Sequence, residues 1–193
     1  MRQRKSADYW FSRGASFVKR GLYRSALQSY KKVVEIDPRN ANAWNNIGIC
    51  LYALGSFQDA IQAYDRALEI DPTFKYAWSN RGNALDELDR YDDAIISYDK
   101  AIELDPANKQ ALNNKCVSLG NLGRYEEALE CSDKALEIDP LLPEVWYNRG
   151  LALENLKRTE EAEAAFSKAE ELGCTGNPQA DSRARSHTIR IKS

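Results

Sequence analysis

Histidine is nearly missing from this chain. His187 is the only one in 193 residues, so a histidine-based general base or metal centre has nothing to hold it. Glycine-rich phosphate-cradling motifs are missing too, as the ten glycines fall on repeat positions and loop ends. No run of eighteen apolar residues occurs, so a transmembrane helix is not expected. The basic stretch from Met1 to Ser6 leads into no apolar region and does not read as a secretory signal. Cys50, Cys116, Cys131 and Cys174 show no C-x-x-C spacing and read as small packing residues in a reducing compartment. The expected location is therefore cytoplasmic. Neither a catalytic residue nor a metal or cofactor is expected, and acidic pairs such as Asp92 and Asp93 fit the starts of helices better than general acid–base work.

What the chain does contain is a period of 34 residues. Trp44, Ile47, Gly48 and Leu51 stand at i, i+3, i+4 and i+7, one face of a helix. Gly55 breaks that pattern, a second face follows at Ala60, Tyr64 and Ala67, and Pro72 ends the unit. The tryptophan recurs as Trp10, Trp78 and Trp146, with Leu112 in one place, and the glycine as Gly14, Gly82 and Gly150, with Cys116 in one place. The alanine recurs without a gap at Ala26, Ala60, Ala94, Ala128 and Ala162. Its partner four residues on reads Tyr30, Tyr64, Tyr98, Ser132 and Phe166.

A W-x2-L-G-x2-Y, A-x3-F, P pattern at this period resembles the tetratricopeptide repeat (TPR) family over about nine tenths of the chain. The resemblance implies an all-α, right-handed superhelical solenoid of helix-turn-helix repeats. The expected organisation is a basic lead at 1–6, five repeats at 7–40, 41–74, 75–108, 109–142 and 143–174, and a polar basic tail at 175–193. The tail, with Gly176, Pro178 and no helical period, is expected to be disordered in isolation. The fifth repeat carries a stop signal. Leu27, Ile61, Ile95 and Leu129 give way to Glu163, and Val34, Leu68, Ile102 and Leu136 to Glu170. Ser6 is the expected N-cap of the first helix.

The family lines a concave groove with the first helix of each repeat, and the resemblance places the site there. The candidate residues are Asn42, Asn45, Asn46, Tyr76, Asn80, Asn83, Gln110, Asn113, Asn114, Tyr147 and Asn148. Asparagine is a poor helix former, so its column at one helical slot (Asn46, Asn80, Asn114, Asn148) asks for a reason. An amide donates and accepts, so it can pair with the backbone of an extended peptide whatever that peptide's sequence. The other explanation is that these amides bond the neighbouring helix. The binding expectation places them outside the repeat core.

Relatives that grip a C-terminal carboxylate need a lysine and a basic pair at set slots. Here the pair's positions offer Tyr76 and Asn80, Gln110 and Asn114, or Glu144 and Asn148, so a chaperone-tail clamp lacks its cations. Residues 1–40 carry ten basic and three acidic side chains, a net +7, while residues 41–174 carry thirteen and twenty-five, a net −12. The tail carries four and one, a net +3, and without interleaved aromatics it argues against nucleic acid. The expected function is a non-catalytic protein–protein interaction scaffold for an extended partner segment. The alternative is a self-assembling structural module whose ends or tail contact other copies.

Overall fold

The computed structural model describes residues 5–174. Among them are ten α-helices, which begin at a constant interval in two interleaved series. The first helices of the repeats are α1 (Ala7–Lys19), α3 (Ala41–Ala53), α5 (Lys75–Asp86), α7 (Lys109–Asn121) and α9 (Pro143–Asn155). The second helices are α2 (Tyr23–Ile36), α4 (Phe57–Ile70), α6 (Tyr91–Leu104), α8 (Tyr125–Ile138) and α10 (Thr159–Glu171). The chain forms two compact units that divide between Leu88 and Asp89, inside the third repeat. In the N-terminal unit α1 pairs with α2 and α3 with α4, while α3 also packs on α2 and α5 on α4. In the C-terminal unit α7 pairs with α8 and α9 with α10, while α7 packs on α6 and α9 on α8.

Local chemistry sets these boundaries. Ser6 caps α1 by accepting from the Tyr9 amide at 3.2 Å, and Asn40 and Asn108 cap α3 and α7 at 2.9 and 3.0 Å. Asp59, Asp92, Asp93, Glu126, Glu127, Glu160 and Glu161 lie in the first turns of second helices, where the helix dipole favours negative charge. First helices end in paired reversed bonds. In α3 the Gly55 amide bonds to Tyr52 O and the Ser56 amide to Leu51 O, each at 2.9 Å. That ending requires a left-handed residue, supplied by Gly55 at φ +77° and, without glycine, by Asp89 at +55° and Lys157 at +63°.

The hairpins close over alanine and glycine. Ala26, Ala60, Ala94 and Ala128 are fully buried, and the rings of Tyr30, Tyr64 and Tyr98 are buried with them. A Cβ placed on Gly48 would stand 2.6 Å from Cδ1 of Tyr64, so only glycine admits the ring. The tryptophans staple each repeat to the loop before it. Trp44, Trp78 and Trp146 donate from Nε1 to the carbonyls of Pro38, Pro72 and Pro140, each at 2.9 Å. Leu112 takes this slot in the fourth repeat and has no such donor.

On α10, Glu163, Glu170 and Thr159 are exposed, and at the position of Glu163 the earlier Ile61, Ile95 and Leu129 are buried. No helix among the described residues is long and apolar enough to cross a membrane. The polar basic tail, with His187, lies outside the described residues.

Candidate protein-binding surface

Of the first helices, α1, α3, α7 and α9 each turn one face to the hairpin partner and another away from it, and the candidate residues divide between the two units. In the N-terminal unit Asn42 and Tyr76 are exposed, Asn46, Asn80 and Asn83 half-buried, and Asn45 buried at 6% exposure. Asn80 donates from Nδ2 to Oδ1 of Asn45 at 3.1 Å, tying α5 to α3. Tyr76 is 61% exposed, with its ring edge-on to Phe74 at 6.4 Å and the Lys75 ammonium 5.3 Å from its centre.

The C-terminal unit repeats the tie. Asn148 donates from Nδ2 to Oδ1 of Asn113 at 3.1 Å, joining α9 to α7, and Asn113 donates to Oδ1 of Asn114 at 3.3 Å. Asn114 and Asn148 are 2% and 1% exposed. Two members of the asparagine column therefore lie inside the protein, where the sequence reading had them outside the repeat core. The reason is the close approach of consecutive first helices. The residue at the fifth position of one repeat meets the sixth of the next, and a buried amide without a partner costs a few kcal/mol. Tyr147, half-buried, leans on Phe166 at 5.4 Å rather than standing free.

A cavity of about 310 Å³ opens beside this ladder at the start of α7 and α9. Gln110, Asn113 and Asn114 form one wall, and Leu142, Glu144 and Val145 the other. Lys109 stands at its edge and is held by Asp139 at 2.7 Å. Amide, carboxylate and aliphatic groups thus converge on one concavity, a composition suited to a peptide side chain and its backbone. Leu142 and Val145 were absent from the sequence-based site; Val145 is 2% exposed and belongs to the aliphatic core, with Leu142 packed against it.

Two carboxylates near the end of α5 are drawn into the fold. Asp86 is buried, and Glu87 accepts from the Tyr52 hydroxyl at 2.9 Å. Burial, with the charge of Glu87, pushes the Tyr52 hydroxyl well above its usual range. Burial likewise pushes the Cys50 thiol up to about 11 and raises Cys116 well above its usual value beside Cys131, which favours the protonated form of both. Among the described residues no cluster of three metal-ligating side chains occurs.

Models of the tetratricopeptide repeat match residues 6–73, 76–108, 97–130 and 143–172, and a TPR repeat model matches 119–157. No curated protein matches the sequence. A crystal structure of MamA is 27% identical, covering 82% of this chain and 93% of its own, with a TM-score of 0.79. A second MamA crystal structure is 24% identical with a TM-score of 0.80, covering 96% of this chain and 98% of its own. MamA 41-end from Desulfovibrio magneticus RS-1 is 21% identical with a TM-score of 0.82, covering 89% of this chain and 97% of its own, a likeness of fold. With repeat models matched along most of its length, this chain belongs to the tetratricopeptide repeat family.

Proposed function

We propose that the chain is a non-catalytic scaffold that takes an extended segment of a protein partner against the first helices of its C-terminal unit. The observation that carries this reading is the cavity between α7 and α9, where Gln110 and Glu144 are exposed beside Leu142 and Val145. The asparagine ladder behind it fixes the spacing of the two helices and so holds the cavity in one shape before a partner arrives. Exposed Asn42 and Tyr76 offer polar and aromatic contact on the corresponding helices of the N-terminal unit.

The test is a pull-down with the full chain and mass spectrometry of what is captured, followed by titration of the captured peptide. Gln110→Trp fills the cavity and Glu144→Lys reverses its charge, and both positions are exposed, so the fold survives. The expected result is loss of binding at an unchanged melting temperature. Unchanged affinity in both variants removes this face as the site.

The segregation of charge, +7 in residues 1–40 against −12 in residues 41–174, favours contact between copies as a second reading. Light scattering across concentration and salt separates the two. Mass that grows with concentration and falls with salt supports self-association.

A further inference from the structure

The faces with which the third, fourth and fifth repeats receive their predecessors follow one plan. In the N-terminal unit α4 packs on α5, and Arg81 Nε binds Asp65 Oδ1 at 2.6 Å. In the C-terminal unit Lys115 of α7 binds Asp99 of α6, and Arg149 of α9 binds Asp133 of α8 at 2.8 Å. Aliphatic contacts flank each pair. Ile95 and Ile102 share a cluster with Leu112 and Leu119, and Leu129 shares one with Trp146 and Leu153. At these three junctions the incoming helix carries an aliphatic residue, an aspartate four positions on and a second aliphatic at seven: Ile61, Asp65, Leu68; Ile95, Asp99, Ile102; Leu129, Asp133, Leu136. The α2–α3 junction departs from the plan, with Lys31 and Ile47 at the paired positions.

The first repeat holds the receiving half of this plan. Trp10, Arg13 and Phe17 stand where the fourth repeat has Leu112, Lys115 and Leu119, and with Gln28 of α2 they line a cleft of about 390 Å³. The matching cleft of the fourth repeat is bounded on its far side by Ile95, Asp99 and Ile102. Arg13 lies over the Trp10 ring at 5.3 Å, as Arg149 lies over Trp146 at 5.7 Å while it binds Asp133. Among the described residues Arg13 makes no ion pair. Lys31 borders the same cleft, and residues 1–40 are net basic.

We propose that the cleft between α1 and α2 docks an acidic amphipathic helix of a partner protein. Its two aliphatic side chains rest on Trp10 and Phe17, and its carboxylate binds Arg13. A second copy of this chain does not supply that helix from its last repeat, because α10 has Glu163, Ser167 and Glu170 at the three positions. The tail does not either: around Asp181 the flanking positions are Asn177 and Ala184. The partner is therefore a different protein, recognised at a face separate from the cavity between α7 and α9.

The probe is a stapled, fluorescently labelled peptide with the sequence of Tyr91–Leu104, titrated with the full chain. Stapling offsets the weak helicity of so short a segment. Saturable binding below about 1 mM is expected, weakened about tenfold or more by Arg13→Glu and by Trp10→Ala. A peptide carrying Asp99→Lys should prefer the Arg13→Glu protein to the unmodified one. Gln110→Trp should leave this binding unchanged, which separates it from the groove reading. Absence of binding, or binding indifferent to Arg13→Glu and to the charge swap, overturns the proposal. Either result would make Arg13 a solubilising charge on the exposed face of α1.

Discussion

Asn148 donates its side-chain amide to Asn113 across 3.1 Å, and Asn80 does the same to Asn45 one unit earlier. Both bonds join first helices of consecutive repeats, and Asn148 is 1% exposed. Asn148→Ala should lower stability by about 1–3 kcal/mol, because Asn113 Oδ1 loses its donor beside a new void. Asn46→Ala, at a half-buried position, should cost less. Thermal melts of the two variants check this, and equal melting temperatures would show that the tie contributes nothing.

The close contact of glycine and ring predicts a double-mutant cycle. Gly48→Ala should destabilise by about 1–3 kcal/mol, because the added methyl meets the buried Tyr64 ring. The fourth repeat has exchanged both members for Cys116 and Ser132, which are 0% and 1% exposed. Ser132→Tyr alone should overpack against Cys116, and adding Cys116→Gly should recover the loss, with a coupling of about 1–3 kcal/mol. Denaturant titrations of the four proteins measure it, and additive effects would show that the two positions do not share space.

Turns offer a stabilising change. Lys157 adopts φ +63° where the first, second and fourth repeats have glycine. Lys157→Gly should raise stability by about 0.5–1 kcal/mol, and Gly55→Ala should lower it by about 1 kcal/mol. A Cβ on Gly55 meets nothing within 4 Å, so the second effect isolates the backbone conformation. Melting temperatures moving in opposite directions are the expected outcome.

Alkali should unfold the N-terminal unit. Burial pushes the Cys50 thiol up to about 11 and the Tyr30 hydroxyl to about 12, from usual values near 9 and 10. The native state thus holds protons that the unfolded chain has released. The stability from these neutral groups is complete below pH 9 and falls as pH rises toward 12, by up to about 1.4 kcal/mol per pH unit for each group. Melts between pH 8 and 11.5 should show a decline that Cys50→Ala with Tyr30→Phe makes shallower. An equal slope in that variant would assign the decline to other groups.

Glu163 and Glu170 lie exposed on α10 at positions that are aliphatic in the repeats before it. Changing both to leucine should present an apolar face and promote association, seen as concentration-dependent mass in sedimentation. A strictly monomeric variant would mean that these glutamates do not close the array.

Helix positions were legible in the sequence because they depend on neighbours in the chain. The interval from Trp44 to Trp78, the unbroken alanines and the glycine after the first helix of the first, second and fourth repeats are local signals, and most repeats restate them. Ser6 as a cap was legible for the same reason, since its hydrogen bond reaches only to Tyr9. Asparagine at the sixth position was visible as a column, but its role was not. An amide bonds as well to a partner's backbone as to another asparagine, and only the approach of α9 to α7 buries Asn148 against Asn113. Leu142 and Val145 carry no polar signal in the sequence, and only the fold sets them beside Gln110 and Glu144 around an open cavity. The pairing of Arg81 with Asp65 was equally hidden, because it links side chains on two helices whose separation the chain's order does not state. The sequence determined the repeat, its helices and its turns; the packing of one helix on the next decided which polar residues are spent inside the protein and which remain on its surface.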